Sequence, residues 1–387
     1  MTTMVKKDSL SGLRKHFPSL RTRKEILAVI AADPGLGDTF YRWPLETQEE
    51  FLGCCSGARG MKVLYDGVFK EIFNPETTPE RLERLLYLLL GRRVSIKTVL
   101  PNDSVRLGAE TSLLYTDIIV QMEDGSIGNI EVQKIGYAFP GERCACYSAD
   151  HLLRQYKRVR GKRGKHFSYR DVKNVYTIVF FENSPQEFHE FSDIWMHKFK
   201  QQSDSGLEMN FLQEYILLPL DIYKKAMQNK SIETELEAWL AFLCFDAPER
   251  IEELITRFPE FAELYQQICD LCRNTEKVMS MYSKELEELD HNTVLYMIDE
   301  MQAQIDRQKA ELETLKAATD KQRAELDWQK AEMDKQKAEM DKQKAEMDKQ
   351  KAEMDKQKAE ADKLKAEADR QKAEADRLRQ QLACQKK

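Results

Sequence analysis

From Ala310 to Arg379 the chain repeats in units of seven: AELETLK, AATDKQR, AELDWQK, four copies of AEMDKQK, then AEADKLK, AEADRQK and AEADRLR. No other segment leaves the backbone so little choice. The ten units contain no glycine or proline, so nothing in them interrupts a helix. Glu332 and Lys335 are spaced i,i+3, and Lys335 and Glu339 i,i+4, a pattern that supports a helix on a solvated surface. A straight helix of this length would span roughly 100 Å at 1.5 Å per residue. One heptad position carries Ile305, Leu312, Leu326, Met333, Met340, Met347 and Met354, then alanines, then Leu382. Three residues later stand Leu315, a series of glutamines, Leu364 and Leu378. The period is that of a coiled coil, but Met and Gln make a poor seam. The expectation is a weak coiled coil or a single charged helix rather than a tight dimer, with no chemistry of its own.

The repeat also explains the composition. Of 387 residues 33% are charged, and the excess sits mostly in the last 80, so the remainder is ordinary globular sequence with apolar residues enough for a core. The formal charge of −6 argues against whole-chain attraction to nucleic acid and leaves room for a local basic patch. No run of 18 apolar residues occurs, and MTTMVKKDSL has no apolar leader region. The chain is therefore expected to be cytoplasmic, away from membranes, with its eight cysteines reduced. A single Cys269-x-x-Cys272 without a second pair or nearby histidines is a weak zinc signal. Its flanks, YQQICDLCRN, read as an amphipathic helix holding buried, idle thiols.

Four segments follow from the patterning. Residues 1–60 form a helical lead-in, with FPSL and LETQEEFLGCC as short helices. Residues 61–221 begin with a helix near Met61–Phe73 and another after Pro79, then strand-like runs at Val94–Leu100, Leu113–Met122 and Ile127–Ile135. A basic helix from Arg143 to about Arg160 and a strand at Val175–Phe181 complete an α-β-β-β-α-β order, an α/β or α+β layer arrangement. Residues 222–300 are helical, broken at Ala247-Pro248 and Phe258-Pro259, and pack on the core. Residues 301–387 are the repeat tail.

The chemistry is expected on the second and third strands. LLYTDIIVQM is apolar and β-forming, yet Asp117 interrupts it, and burying a lone carboxylate is costly. The next strand, SIGNIEVQ, supplies Glu131. A three-residue Glu123-Asp124-Gly125 loop with a left-handed glycine pairs Met122 with Ser126. It thereby places Asp117 opposite Glu131, with β-carbons roughly 5 Å apart. A two-residue loop would place Asp117 opposite Val132. The first register is favoured because it gathers Asp117, Glu131 and Gln133 on one face and leaves Ile118, Val120, Ile130 and Val132 on the other. Two carboxylates so close repel, and a divalent cation resolves the repulsion. Hard oxygen ligands with open water positions suit Mg²⁺ or Mn²⁺, which can activate water against a phosphodiester. Gln133 could orient that water but cannot act as a cationic base.

Asp117, then 13 intervening residues, then Glu131-Val132-Gln133, resembles the signature of the PD-(D/E)xK nucleases. LYDGVFKEIF, with Asp66, Phe69 and Lys70, is similar to the opening helix of their recombination-promoting, transposase-like branch, and AWLAFL fits that branch's ending. The resemblance covers about residues 40 to 300. It implies a restriction-endonuclease-like core with a mixed central sheet flanked by helices, and metal-dependent DNA cleavage tied to recombination or mobile elements. Asp117 and Glu131 would hold the metal, with Gln133 and Asp66 completing the catalytic set. Asp66 reads equally well as a helix N-terminal charge. Thr116 stands where the superfamily has Pro, and Gln133 where Lys is usual. Lys134 follows, but strand alternation points it to the opposite face.

Between Lys134 and Lys173 eleven Lys or Arg stand against three Asp or Glu. Arg154, Lys157, Arg158, Arg160, Lys162, Arg163 and Lys165 are candidates for DNA phosphate contact, with Gly161 and Gly164 read as a flexible loop after the helix. The interleaved Tyr147, Tyr156, Phe167 and Tyr169 are expected to be packing residues rather than base-stacking ones. The leading reading is an Mg²⁺- or Mn²⁺-dependent DNA endonuclease without a small-molecule cofactor, a homodimer where two strands are cut. The alternatives are a catalytically weak DNA-binding or interaction protein retaining the fold, and a scaffold in which the tail matters most.

Overall fold

The computed structural model describes residues 12–100, 118–136 and 140–384. The described residues open with a short 3-10 turn, Gly12–Lys15, and three helices, α1 (Arg23–Ala32), α2 (Pro34–Arg42) and α3 (Leu45–Ser56). Thr22 and Glu25 form a capping box at the start of α1, and Asp33 caps α2, whose first residue is Pro34. These are the start signals such residues give at a helix N-terminus. Next come α4 (Asp66–Ile72), α5 (Pro79–Leu90), β1 (Ile96–Val99), β2 (Ile118–Met122), β3 (Ile127–Gln133), α6 (Pro140–Arg163) and β4 (Val175–Phe181). A short α7 (Gln186–His189) leads to β5 (His197–Phe199), β6 (Gln213–Pro219) and α8 (Leu220–Ala226). Helices α9 (Glu235–Cys244), α10 (Pro248–Arg257), α11 (Phe261–Cys272) and α12 (Thr275–Cys384) follow.

The strands form one mixed sheet in the order β1-β2-β3-β4-β6-β5. β1, β2 and β3 are antiparallel neighbours, β3-β4-β6 are parallel, and β5 returns antiparallel on β6. All seven residues of β4, VYTIVFF, are buried, as a near-continuous apolar strand in a parallel, two-sided sheet must be. The expected α-β-β-β-α-β order is present, and β5 and β6 extend it. β6 runs directly into α8 at Pro219, which ends the strand and caps the helix.

One face of the sheet, with Val120, Ile130, Ile178, Phe180 and Leu218, lies in a large cluster with Phe69, Phe73, Trp239 and Phe242. That cluster draws residues from Leu13 to Tyr282. α6 covers the other face: Cys144 packs with Val179, Phe181, Phe188 and Leu217, and Leu152 against Ile119, Ile127 and Val175. The helix breaks at Ala247-Pro248 and Phe258-Pro259 fall where expected. Cys269 and Cys272 are buried free thiols, and burial raises the pKa of Cys269, while the Cys55 hydrogen bond and burial raise that of Cys272. Both thiols are packed in the core of this fold.

The described chain divides into two compact units, Met1–Ala303 and Gln304–Lys387. In the second, nearly every described residue of the helix is exposed; Met333, Met340, Met347 and Met354 are each 67–71% exposed. Lys335 meets Glu332 at 3.7 Å, one of the pairings read from the repeat. Among the described residues no helix is long and apolar enough to cross a membrane.

Candidate active site

The β2–β3 hairpin closes through Glu123-Asp124-Gly125. Gly125 has φ +87°, Met122 N–H donates to Ser126 O at 2.9 Å, and Asp124 Oδ1 accepts from Ser126 N–H at 2.9 Å. The left-handed glycine is the requirement of this loop. The resulting pairs, Gln121 with Ile127 through Ile118 with Ile130, are the register that the three-residue loop predicts. Ile118, Val120 and Ile130 face the large core, with Val132 packed at its edge. Asp117 lies outside the described residues.

The opposite face of β3 presents Asn129, Glu131 and Gln133, which are 0%, 5% and 5% exposed. Gln133 Nε2 donates to Glu131 Oε1 at 2.8 Å. The i,i+2 spacing puts both on one side of the strand, so the polar pair is built by a single element. α6 lies over it. The pKa of Cys144 is pushed up to about 12, by burial first and then by the Glu131 charge. Tyr147 is raised by the same two causes, while the Arg143 guanidinium, hydrogen-bonded to it, pulls the other way. Arg143 thus brings positive charge to a face where Gln133 carries none.

Beside this pair the buried layer contains polar atoms that sequence reasoning missed. Asn129 sits opposite Thr177 in the β3–β4 register. Neither the Asn129 amide nor the Thr177 hydroxyl has a protein hydrogen-bond partner. His151, on α6, is buried, its Nε2 has no such partner, and burial pushes its pKa down to about 4. Buried polar groups of this kind are satisfied by water or ions. The signal for Asn129 was the alternation itself, since N-x-E-x-Q puts three polar residues on one face. That for His151 and Thr177 was absent, because only the packed fold brings α6 and β4 to Glu131's side.

Asp66 opens α4, where Lys70 Nζ meets its carboxylate at 2.5 Å. It borders a cavity of about 540 Å³ with Lys277, Met281, Lys284 and Glu285 of α12. Its link to β3 is indirect. Glu285 accepts the Asp66 N–H at 3.1 Å and pairs with Lys134, whose ammonium lies 4.8 Å from the Tyr65 ring centroid. Lys134 is therefore turned to the face away from Gln133, as strand alternation requires.

The candidate phosphate-binding residues fall into two groups. Lys157, Arg160, Lys162, Arg163 and Lys165 are exposed, with Arg163 3.4 Å from Asp171. Arg154 is half-buried and meets Asp150 at 2.7 Å, and Arg158 is half-buried, which lowers its pKa. Gly161 lies within α6 rather than in a loop, because the helix runs to Arg163; Gly164, at φ +52°, follows its end.

A buried carboxylate, an amide hydrogen-bonded to it and a basic helix, on a mixed α/β sheet, define the arrangement of a nuclease-like fold. Residues 63–297 match the family described as PD-(D/E)XK nuclease family transposase, and since that span is more than half of the chain, the protein belongs to this family. No curated protein matches the chain. PD-(D/E)XK nucleases generally use divalent metals. Among the described residues no three His, Cys, Asp or Glu converge as a metal-ligand group. Glu131 and the neighbouring Asn129 amide offer hard oxygen donors suited to Mg²⁺ or Mn²⁺, and the chemistry of these donors fits such an ion once a second carboxylate joins them.

Proposed function

We propose that the protein is a metal-dependent DNA endonuclease acting in recombination or mobile-element processes. The observation that carries this is the buried Glu131–Gln133 pair on a hairpin closed by the left-handed Gly125. Asp117 and Glu131 would hold Mg²⁺ or Mn²⁺, which supplies activation of the attacking water and neutralises charge developing on the phosphodiester. Gln133 fixes the orientation of the Glu131 carboxylate and presents its amide to the water or to a phosphate oxygen. Arg143, hydrogen-bonded to Tyr147, adds positive charge on the same side. The exposed Lys157, Arg160, Lys162, Arg163 and Lys165 hold backbone phosphates, and Arg154 and Arg158 support them from the half-buried side of α6. Phosphate contacts position DNA without reading its sequence. Asp66 acts at a distance, as the start of the helix that Glu285 ties to Lys134. A homodimer would bring two such sites to two strands.

The second reading, a catalytically weak DNA-binding protein that retains the fold, rests on Gln133 in the place of an ammonium. Nicking of supercoiled plasmid separates the two. With Mg²⁺ or Mn²⁺ the purified protein should nick, and EDTA, Asp117→Ala or Glu131→Ala should abolish it. Salt-sensitive DNA retardation without nicking under any metal would establish the second reading instead.

A further inference from the structure

The end of α6 carries three aromatic rings that the cleavage chemistry does not use. Tyr156 and Tyr169 stack with centroids 6.2 Å apart and planes 12° apart. Phe167 stands edge-on to both, at 5.5 Å from Tyr156 and 5.4 Å from Tyr169. Tyr147, farther up the helix, is buried as a packing residue should be, but Tyr169 is 77% exposed. The turn that carries it is fixed. Asp171 Oδ2 accepts the Ser168 N–H at 2.9 Å, Ser168 Oγ accepts the Arg170 N–H at 3.3 Å, and Arg163 meets Asp171 at 3.4 Å. A ring so exposed adds little to a core, and holding it rigid keeps its face presented to solvent.

The surroundings indicate what that face meets. Arg160 lies over Tyr156 with its guanidinium carbon 5.6 Å from the ring centroid and also bonds the Tyr156 hydroxyl. Lys162, Lys165 and Arg170 are exposed nearby, while the acidic Asp171 is engaged within the turn. An exposed π-face among cations complements a chain of phosphates that also carries free π-faces. Bases inside a duplex stack on one another and offer none. A membrane surface would call for an apolar face of several exposed side chains, whereas here Tyr169 is a single ring on a rigid stack.

We propose that Tyr169, backed by Phe167 and Tyr156, is a stacking platform for an unpaired DNA base, so that the protein prefers DNA with a single-stranded or unpaired stretch to intact duplex. This rests on the reading of the protein as DNA-binding. Ring stacking on a base commonly accounts for a loss of roughly 5- to 150-fold in affinity when the ring is removed.

The test is fluorescence-anisotropy binding in EDTA, so that nothing is cut, to a blunt duplex and to the same duplex with a single-stranded overhang containing 2-aminopurine. The wild type should bind the overhang substrate more tightly and quench the 2-aminopurine. Tyr169→Ala should weaken overhang binding at least about 5-fold and lose the quench, leaving blunt-duplex affinity within about twofold, while Tyr169→Phe keeps both. Equal binding of the two DNAs with no effect of Tyr169→Ala would overturn the platform and leave the DNA reading intact. Failure of the wild type to bind either DNA would overturn both. An effect of Tyr169→Ala confined to anionic phospholipid vesicles would overturn the platform in favour of a membrane contact.

Discussion

Gln133 donates to Glu131 across two residues of the same strand, at 2.8 Å and with both side chains 5% exposed. A buried carboxylate oxygen stripped of its donor costs about 1–3 kcal/mol. Gln133→Leu is therefore expected to lower unfolding free energy by that amount in urea titrations and to abolish nicking. Gln133→Lys keeps a donor and adds the ammonium that the usual motif carries. Because a positioned acid or base commonly contributes about 10²–10⁴-fold, this variant should nick plasmid at least about 10-fold faster than the natural chain. A slower variant would show that Gln133 acts through its neutral amide.

The Lys134–Glu285 pair joins the end of β3 to α12, with the two side chains 8% and 3% exposed. Removing one partner of a buried pair leaves the other charged and unmatched, at a cost of about 3–5 kcal/mol. Lys134→Met and Glu285→Leu should each destabilise by that much, and the double variant should recover most of the loss. Additive losses in the urea titrations would mean that each residue acts through other contacts, such as the Asp66 N–H at Glu285.

His151 gives a pH dependence whose sign follows from its burial. Its folded-state pKa, about 4, lies below the ordinary histidine value of 6.5, so between these values the unfolded chain binds the proton and the folded one does not. Stability is therefore full above about pH 6.5 and falls as the pH drops toward about 4, by at most about 3 kcal/mol. Asp150 opposes this shift and Arg154 adds to it. His151→Leu cannot titrate, and its unfolding free energy should fall less across that window than the wild type's. Parallel curves would place the titration elsewhere.

Two glycines should respond oppositely to alanine. A Cβ at Gly136 would lie 2.8–2.9 Å from the backbone of Ser184 and Pro185, a contact that cannot yield without moving the chain past the end of β3. Gly136→Ala should lower the thermal midpoint markedly. Gly161 is inside α6 and its Cβ would meet nothing within 4 Å, so Gly161→Ala should stabilise by up to about 1 kcal/mol. Calorimetry of both variants checks the pair.

Strand β4 was legible in the sequence because VYTIVFF is apolar at every position, and the β2–β3 register because Glu123-Asp124-Gly125 needs a left-handed glycine. Alternation then placed Glu131 and Gln133 together and sent Lys134 to the far face. Tyr169 was not legible. Its spacing matches that of a packing aromatic, and only the turn at Ser168–Asp171 turns it outward. Gly161 misled for a related reason. A glycine in a basic stretch signals a loop, but α6 continues through it because its buried face, through His151 and Gln155, is already seated on the sheet. Glu285 lies 151 residues from Lys134 in sequence, and no local pattern could pair them.

The tail yields the last prediction. Its helix exposes Met333, Met340, Met347 and Met354 at one heptad position, and glutamines fill the position three residues later. Such a seam buries little apolar surface per turn, and Gln must lose water on pairing, so association should be weak. Sedimentation equilibrium of the full chain at micromolar concentration should show monomer in exchange with dimer. Replacing the four methionines, together with Gln336, Gln343, Gln350 and Gln357, by leucine should give a dimer that does not dissociate over the same range. A natural chain that is already a tight dimer, and stays one when residues 304–387 are deleted, would locate the interface in the first unit and leave the repeat as a single charged helix.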